Sequence, residues 1–593
     1  MIMTPWAQTA RQYHTLWKLR KVTLGGVAEK MAALRGDAPF CLFEGERISF
    51  REFNRRANRR ANFFAGHGVT RGDVVCLMME NRPEFLETLV GLSKLGAVTA
   101  AINFNLQGES LAHAINLSGA RRIVVGTECL ANFNSALSAL NGIGAEGVFL
   151  DSRWEGSAPA PPGSHDLNAA LPEAGEENPP RLGLRGSDTV LYNYTSGTTG
   201  LPKATPISHR RWFSAGFSLV TNLAIKPEDC LYCPLPLYHS NGTLLAFAGP
   251  LVGGATMALT RRFSASRFWE EMHTNGVTCF IYIGELLRYL INTPPGPYDR
   301  NHRVTRIMGN GLRGDIWKAF QERFGMHDIR EFYASTEGNL SLINLDNVPG
   351  SVGKPSPGRP PNMVLVRYDP QSDSHPTDER GFLIRCEPGE PGEMLGKVTR
   401  LTPFIGYTDP GETEKKLLRN VFKKGDAYFR TGDLLRQDER GYYYFLDRVG
   451  DTFRWKGENV STEELQKVIS AFDGIAMVNA YGVAVPHTEG RAGMAALNLH
   501  GKLESDRVAF DPEAFYRFVT KRLAPYARPA FVRICSELEV TTTFKLRKPE
   551  LQREGFDPNR VSDPLFFRDD TAGAYRPLDD SALERITAGE IRF

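Results

Sequence analysis

The sequence predicts an α/β fold with a large N-terminal domain, in which helices cover parallel sheets, and a small mobile α+β domain at the C-terminal end. The chain has 593 residues, too many for one ordinary hydrophobic core. A strand–helix–strand order near the N-terminus is typical of a parallel sheet. A glycine-rich charged segment near residue 450 marks a junction. We therefore predict a helical extension over residues 1–36, a large domain over 37–450 and a small domain over 451–593.

The strand–helix–strand order begins at Ser49, a predicted N-cap for a helix whose apolar face carries Phe53, Ala57, Ala61 and Phe64. A strand, DVVCLMM, follows, then a turn at residues 81–83 and the helix EFLETLVGLSKLG. The apolar segment AVTAAIN completes the unit. Strands of this kind, apolar on both faces, indicate a parallel sheet with helices on each side.

Residues 151–183 are rich in Pro, Ala, Gly and Glu, and we expect a surface excursion that separates two halves of the large domain. Strands and helices are predicted to alternate up to about Tyr444. The segment DRVGDTFRWKGENVS has the composition of a mobile junction, and a helix and strand unit follows it.

Composition excludes several functions. The formal net charge of +3 is too small to predict nucleic-acid binding and gives only weak attraction to anionic membranes. Eight cysteines in a chain of this length do not form a disulfide scaffold and favour a reducing cytosol. For Cys230 and Cys233, which form a CxxC, buried structural thiols are preferred over zinc or redox chemistry because a second ligand pair is missing.

Two segments raise the question of a membrane. Residues 1–22 combine aromatic and basic side chains in an amphipathic pattern that suits either a membrane surface or docking on the body of the chain, which we prefer. The uncharged stretch from Gly242 to Thr260 approaches the length of a membrane span. Four glycines and Pro250 interrupt it, so a buried helix followed by a buried strand is the better prediction.

The first segment with recognisable chemistry is YTSGTTGLPKA, residues 194–204, set after the predicted strand TVLYN. Its glycines allow the backbone to approach a ligand, its hydroxyls can donate to phosphate oxygens and Lys203 adds positive charge. It differs from a P-loop because Leu201 and Pro202 precede the lysine. The segment predicts a polyphosphate site formed by Thr195, Ser196, Gly197, Thr198, Thr199, Gly200 and Lys203.

This loop resembles the signature of the adenylate-forming superfamily, which includes acyl-CoA synthetases, luciferases and the adenylation domains of peptide synthetases. GNGLRGDIW, FYASTEGN, YFRTGDLL, DRVGDTFRWKGENVS and TTTFKLRK follow in that superfamily's order. They resemble the versions in the fatty-acid-transport-protein and very-long-chain acyl-CoA synthetase branch. The likeness runs from about Ala38 to the C-terminus.

The segment GNGLRG also satisfies the GxGxxG pattern of a dinucleotide-binding fold. It follows the strand RVTRIM, opens the helix DIWKAFQERF and has Glu331 near the spacing of a ribose-binding acid. A Rossmann dehydrogenase would leave the upstream phosphate loop unexplained. The resemblance instead implies that Gly309, Asn310 and Gly311 border the adenine and the acyl tunnel.

A hydroxyl and a carboxylate stand side by side at Thr336 and Glu337, and such oxygens can hold Mg²⁺ together with nucleotide phosphates. The resemblance implies that Tyr333 stacks on adenine, Thr336 contacts phosphate and Glu337 binds the metal. Asp433, after a small flexible turn, can accept hydrogen bonds from both ribose hydroxyls. Arg448 is suited to ribose and phosphate oxygens, although a surface ion pair is the alternative.

The resemblance also assigns the C-terminal residues. Asp451 matches a hinge beside Gly450, and Lys456 and Gly457 match a face presented to coenzyme A. Lys545 matches the lysine that reaches the adenylation site, where a cation offsets charge that develops on phosphate oxygens. Phe544 stands where the superfamily has glycine, which leaves Arg547 and Lys548 as alternatives.

The acyl tunnel is assigned to Tyr238, His239, Tyr282 and Gly284, with a hydrogen-bonded core histidine as an equal alternative for His239.

We expect a fatty acid–CoA ligase that uses ATP, Mg²⁺ and coenzyme A, located in the cytoplasm or peripherally on the inner face of the membrane. Ligases for bile acids, carnitine-like acids or aryl acids are alternatives, as is a fatty-acid importer without catalysis. The sequence does not indicate the oligomeric state.

Overall fold

The computed structural model describes residues 20–196, 201–355, 362–369, 372–456, 458–488, 490–500, 510–538 and 548–593. Several predicted features lie outside these described residues: the aromatic and basic residues at the N-terminus, Gly197 to Gly200 of the phosphate loop, Gly457, and Lys545 with Arg547.

The largest sheet has nine strands, and its six central strands are parallel. Apolar side chains fill both faces, as the sequence predicts for parallel strands covered by helices. In spatial order the strands are Lys354–Pro355, Ser341–Asn344, Asp328–Ala334, Arg306–Asn310, Cys279–Ile283, Cys230–Cys233, Thr256–Leu259, Pro39–Phe43 and Glu46–Ser49.

A second sheet of seven strands carries the predicted N-terminal unit, and it is parallel except for its last pair. The phosphate loop connects that last antiparallel pair. In spatial order the strands are His165–Asp166, Val148–Asp151, Arg122–Gly126, Val74–Met78, Val98–Ala101, Thr189–Ser196 and Pro202–Ser208.

Helices cover these two sheets, and the predicted N-cap is confirmed. Ser49 accepts a hydrogen bond from the backbone N–H of Glu52 at the start of the helix Phe50–Gly66, and Phe53, Ala57, Ala61 and Phe64 are buried. The other helices of this part are Leu24–Arg35, Pro83–Lys94, Gly108–Leu117, Leu130–Asn134, Leu167–Ala170, His209–Asn222, the π-helix Asn241–Phe247, Ala248–Gly253, Phe268–Thr274, Gly284–Asn292 and Gly314–Phe324.

The predicted alternation of strands and helices up to Tyr444 is wrong after the helix Gly314–Phe324. The chain there forms a five-stranded antiparallel sheet, whose long strand Ala427–Gln437 pairs with three neighbours. Antiparallel strands need no crossover helix between them, so the regular helical spacing disappears. The strands are Met363–Val366, Pro391–Lys397, Leu417–Arg419, Ala427–Gln437 and Tyr443–Arg448, with one short helix, Pro410–Glu414.

The C-terminal part has a hydrophobic core of its own, which runs from Phe453 to Phe593. The predicted junction forms the hairpin Phe453–Trp455 and Glu458–Val460. A five-stranded sheet follows with strands Ile475–Val483, Ala492–Leu499, Phe531–Ile534, Leu565–Asp569 and Ala574–Pro577. Its helices are Thr462–Ile469, Pro512–Arg522, Pro549–Glu554 and Asp580–Thr587.

The prediction of a surface excursion over residues 151–183 understates how closely this segment is attached to the large domain. The segment adds the strand His165–Asp166 to the seven-stranded sheet. Asn178 meets the buried ammonium of Lys94, whose pKa is lowered to about 8 by burial. Asn54 and Asn58 of the helix Phe50–Gly66 accept hydrogen bonds from the same ammonium. Strand pairing, these polar contacts and the fully buried side chain of Leu167 therefore anchor the segment, which composition alone could not reveal.

Two further structural predictions are confirmed. Residues 242–260 form a buried π-helix and helix followed by the buried strand Thr256–Leu259. Within the described ranges, every helix is too short or too polar to traverse a bilayer. Cys230 and Cys233 are buried free thiols in a strand, and burial raises the pKa of each to about 12.

Candidate active site

Three neighbouring parallel strands of the nine-stranded sheet end at segments that the sequence singled out. Cys279–Ile283 leads into Gly284, Arg306–Asn310 into Gly311, and Asp328–Ala334 into Thr336 and Glu337. The carboxyl ends of parallel strands lie at one edge of a sheet, which is where open α/β sheets bind ligands. The predicted glycine and acidic segments therefore meet.

The acidic segment is held from three sides. The hydroxyls of Ser240 and Thr336 are 3.1 Å apart, and the phenol of Tyr407 donates to the Glu337 carboxylate at 3.0 Å. Arg211 donates through one guanidinium nitrogen to the backbone carbonyls of Thr336 and of Gly338, the latter at 2.9 Å. The carboxylate is therefore fixed by contacts before it meets any ligand.

Arg211 is a cation held in a poorly hydrated position beside this carboxylate. Burial lowers the pKa of its guanidinium, and the charge of Glu337 acts in the opposite direction. An arginine remains charged at any physiological pH. The acidic segment consequently has a permanent positive charge beside it.

The second group joins Tyr333 to Asp433. The phenol of Tyr333 donates to the Asp433 carboxylate at 2.6 Å, and Nε of Arg448 lies 3.8 Å from the other carboxylate oxygen. Burial and the neighbouring Asp433 raise the pKa of Tyr333 well above its usual range. Asp433 lies inside the strand Ala427–Gln437, not after a flexible turn as predicted, although Gly432 there has a φ of +78°.

The described ends of the phosphate loop face the same region. Thr195 pairs with Lys203 across the antiparallel strands, and the Lys203 ammonium forms an ion pair with Glu412. Lys203 and Lys415 lower the pKa of Glu412 to about 2. Nζ of Lys203 is 5.6 Å from the centre of the Tyr407 ring, so the lysine is close to the Glu337 contact.

The glycine loop is not a dinucleotide-binding loop. Glu331, the proposed ribose acid of that alternative, is 1% exposed and accepts hydrogen bonds from the backbone N–H groups of Gly311 and Leu312. Its carboxylate is thus engaged inside the sheet. The side chain of Asn310 accepts a hydrogen bond from Asn241 at 2.9 Å, which ties the loop to the π-helix.

The predicted tunnel residues lie around this loop. Tyr238 is buried against Phe104, with ring centres 5.3 Å apart, and His239 is half-buried with Nδ1 3.4 Å from the backbone nitrogen of Asn241. Tyr282 is fully buried, and a side chain on Gly284 would collide with the carbonyl of Gly311. Close packing thus accounts for the presence of Tyr282 and Gly284 at these positions. Their contact with an acyl chain remains a prediction.

The predicted hinge lies beside a polar junction. The buried carboxylate of Asp447 accepts hydrogen bonds from the backbone N–H of Thr462 at 2.7 Å and from its hydroxyl. Nζ of Lys548 is 2.9 Å from Asp451 and 2.8 Å from the Thr462 hydroxyl. Gly450 has a φ of +92°, and Lys456 is exposed with a φ of +52°.

Sequence reasoning missed several residues of this site. Ser240 and Asn241 directly follow the predicted Tyr238 and His239, so they could have been included with that segment. Arg211 and Tyr407 were not recognisable, because they reach the acidic segment across 125 and 70 residues of chain. Only the folded structure brings such distant side chains together.

The oxygen atoms of Thr336 and Glu337 fit a magnesium ion that also binds nucleotide phosphates, since Mg²⁺ prefers oxygen ligands and usually takes one or two from the protein. Within the described residues, no group of three or more His, Cys, Asp and Glu side chains could hold a metal ion by itself. A magnesium ion held by Thr336 and Glu337 would take its remaining ligands from water or from nucleotide phosphates.

Comparison with known proteins identifies the class. The family model "AMP-binding enzyme" matches residues 28–397, and the model of the AMP-binding enzyme C-terminal domain matches residues 464–545. The chain belongs to the AMP-binding enzyme family.

Two curated relatives narrow the likeness. The chain is 40% identical to long-chain fatty acid transport protein 2 of Rattus norvegicus, over 98% of the chain and 93% of that protein. It is 39% identical to the medium/long-chain-fatty-acid–CoA ligase FadD6 of Mycobacterium tuberculosis, over 96% of the chain and 92% of that protein.

The fold also matches a solved structure, that of the anthranilate CoA ligase AuaEII with anthranoyl-AMP, with a TM-score of 0.76 and 21% identity. That match covers 91% of the chain and 98% of the ligase. The predicted α/β architecture with a small C-terminal domain is thereby confirmed.

Proposed function

We propose that this protein is an AMP-forming ligase that joins a long-chain or very-long-chain fatty acid to coenzyme A. In the first step the fatty-acid carboxylate attacks the α-phosphorus of ATP, a P–O bond forms, and pyrophosphate leaves. In the second step the thiol sulfur of coenzyme A attacks the acyl carbon, the bond to AMP breaks, and the thioester is released.

One observation carries this proposal. Thr336 and Glu337 directly follow the strand that carries Tyr333, at the carboxyl edge of the sheet, and Tyr333 is hydrogen-bonded to Asp433. The glycine loop and the lysine of the phosphate loop lie next to them. The same residues match the motifs of an adenylate-forming enzyme. The relatives named for fatty acid transport and for fatty acid–CoA ligation support the substrate class.

Different residues would have different roles in the first step. Tyr333 would stack on the adenine, Asp433 would accept hydrogen bonds from the ribose, and the hydroxyl of Thr336 would donate to phosphate. Arg211, Tyr407 and Ser240 hold the acidic segment in place, so that little reorganisation is needed as charge develops. When Mg²⁺ is bound at Glu337, it supplies positive charge that neutralises the phosphate oxygens.

For the second step we propose a movement of the small domain, with the division into residues 1–36, 37–450 and 451–593 as its units. Asp451 would be the hinge, Lys456 and Gly457 would face coenzyme A, and Lys545 would serve adenylation only. A closed site would protect the activated acid from water.

Two further features belong to the proposal. Tyr238, His239, Tyr282 and Gly284 would border the acyl group. Peripheral association with the inner face of a membrane would suit a water-insoluble substrate, and its candidate segment is the aromatic and basic N-terminus. Oligomeric state is left open.

The direct test is a panel of acids. Purified protein with Mg²⁺ and ATP is incubated with fatty acids of several lengths, a bile acid, carnitine and benzoate, and pyrophosphate release is recorded with and without coenzyme A. We expect release with long-chain fatty acids above all others. If another class of acid gave the most pyrophosphate, the fatty-acid assignment would be wrong. If no acid gave any release, the proposed ligase activity would be refuted.

Lys545→Ala separates the two steps. It should abolish pyrophosphate release from ATP and fatty acid but spare thioester formation from supplied acyl-adenylate. Lys318→Ala, which removes an exposed lysine paired with Glu322, is the matched control and should change neither step. Lys548→Ala tests the alternative assignment of the adenylation lysine. Equal loss of both steps in the Lys545 variant would give that lysine a different role.

A further inference from the structure

Glu331 is a buried acidic residue to which the proposed chemistry assigns no role. It lies on the strand Asp328–Ala334, two residues before Tyr333. One carboxyl oxygen accepts hydrogen bonds from the backbone N–H groups of Gly311 and of Leu312, the latter at 3.1 Å. The other oxygen lies 2.5 Å from the phenol oxygen of Tyr282, which donates to it. Three neighbouring strands are thus joined through one carboxyl group.

The glycine loop, residues 309–312, depends on this group for its shape. Gly311 has a φ of +85°, a backbone conformation that favours glycine. The carbonyl of Gly311 packs directly against Gly284, and Gly309 packs against Tyr282. The N–H groups of the exposed Gly311 and of the buried Leu312 follow each other in the chain, and one oxygen of Glu331 accepts from both. Loss of this acceptor would leave the donors unsatisfied and would release the loop.

The position of the loop connects this contact to substrate binding. The strand that leads into the loop lies between two others at the carboxyl edge of the sheet. One of these strands carries Tyr333 and the other leads into Gly284. In the proposed function these residues border the adenine and the acyl group. A loop between the two pockets must keep one shape if it is to separate them.

We propose that Glu331 is a positioning residue: its carboxyl group fixes the glycine loop at residues 309–312 and thereby sets the wall between the nucleotide and the acyl chain. This role for substrate binding rests on the proposed function. The contact itself does not, because the hydrogen bonds belong to the protein without any ligand. The two parts can therefore be tested separately.

The molecule provides a matched control pair. Tyr232, on the strand Cys230–Cys233 of the same sheet, is also buried and also donates its phenol hydrogen to a glutamate, Glu271. Glu271 lies on the helix Phe268–Thr274, pairs with Arg267 and lines a pocket together with Arg261 and Arg262. Tyr232→Phe and Glu271→Leu therefore remove the same type of bond at a different place.

The first experiment measures amide hydrogen exchange in the ligand-free protein, with peptides that cover residues 309–313. In Glu331→Leu we expect exchange of Gly311 and Leu312 to accelerate about tenfold or more, because both N–H groups lose their acceptor. Glu331→Gln keeps an amide oxygen for the two donors and should restore slow exchange. Glu331→Asp, which shortens the side chain, is the second loss variant in case Glu331→Leu does not fold.

The second experiment measures steady-state kinetics of the same variants. Glu331→Leu or Glu331→Asp should raise KM for fatty acid and for ATP about tenfold, with KM for coenzyme A within about twofold, and Glu331→Gln should rescue both values. The proposal is overturned if exchange at residues 309–313 does not change, or if Glu271→Leu accelerates it equally. Faster local exchange with unchanged KM values would overturn the substrate role alone, and a lack of all activity in the unmodified protein would instead refute the ligase.

Discussion

The acidic segment and the domain junction are held in different ways. Arg211, Ser240 and Tyr407 come from three separate parts of the chain and meet the backbone and side chains of residues 336–338. The junction depends on two carboxylates, Asp447 and Asp451, which bind the Thr462 and Lys548 side chains.

The difference fits two tasks. Groups that meet the charge of a nucleotide work best when they are fixed before it arrives. In the proposed movement, a junction that changes between two steps can be held by polar contacts that new partners replace, rather than by an apolar core. We therefore expect substitutions at the acidic segment to slow adenylation strongly, and those at the junction to act weakly and on one step.

The largest effect is expected for Glu337→Ala. Removing this carboxylate should lower kcat for pyrophosphate release roughly 10²–10³-fold, because the site would lose the oxygen proposed to bind the metal. Steady-state assays over a range of Mg²⁺ concentrations would measure it. Glu414→Ala, which removes an exposed carboxylate paired with Arg419, is the control and should not change kcat. An equal loss in both variants would contradict the assignment of Glu337.

Arg211→Met should have the next largest effect. The side chain keeps its volume but loses two hydrogen bonds to backbone carbonyls, and we expect kcat to fall roughly 10–100-fold through a displaced acidic segment. Arg211→Lys keeps a charge but cannot reproduce the planar donor, so partial recovery is expected. Binding of Mg²⁺ in the presence of ATP, followed by calorimetry, should weaken in parallel. Unchanged metal binding would show that Arg211 acts elsewhere.

Much of this comparison could be predicted from the sequence. Tyr333 and Asp433 are hydrogen-bonded, and Thr336 and Glu337 directly follow the strand that carries Tyr333. Their segments, FYASTEGN and YFRTGDLL, each have a recognisable local pattern. The antiparallel sheet over residues 363–448 could not be predicted, since nothing local distinguishes its strands from parallel ones.

Contacts between residues that are far apart in the chain could not be predicted from the sequence either. Arg211 follows the phosphate loop in an ordinary amphipathic helix, and its guanidinium has no sequence feature that indicates the carbonyls it meets. Glu331 had the spacing of a ribose acid, but register in the sheet turns its carboxyl group towards the glycine loop.

At the junction, Thr462→Val should have a smaller and selective effect. Valine keeps the shape but removes the hydroxyl that Lys548 and Asp447 share, and we expect a change of about two- to fivefold in thioester formation. Adenylate formation should change less. Rapid-quench measurements of the two steps would separate them, with Thr452→Val, at the neighbouring contact of Asp447, for comparison. A larger loss in adenylation than in thioester formation would contradict the exchangeable junction.

The smallest effect concerns stability and pH. Burial raises the pKa of Glu331 to about 8, while the hydrogen bonds from Tyr282, Leu312 and Gly311 oppose the shift. The unfolded chain releases this proton near pH 4.5, so the contribution of Glu331 to stability is present below that pH and decreases as the pH rises to about 8. The free energy of unfolding, measured with denaturant, should decrease less from pH 5 to pH 8 in Glu331→Gln than in the unmodified protein. Identical decreases would mean that Glu331 does not titrate in this range.

The central claim is that ATP and a fatty acid react in the site around Glu337. Fatty-acid-dependent exchange of labelled pyrophosphate into ATP, measured without coenzyme A, tests it most directly. The account predicts rapid exchange with a long-chain fatty acid and its loss in Glu337→Ala. Absence of exchange in the unmodified protein with every fatty acid, or equal exchange in the Glu337 variant, would contradict it.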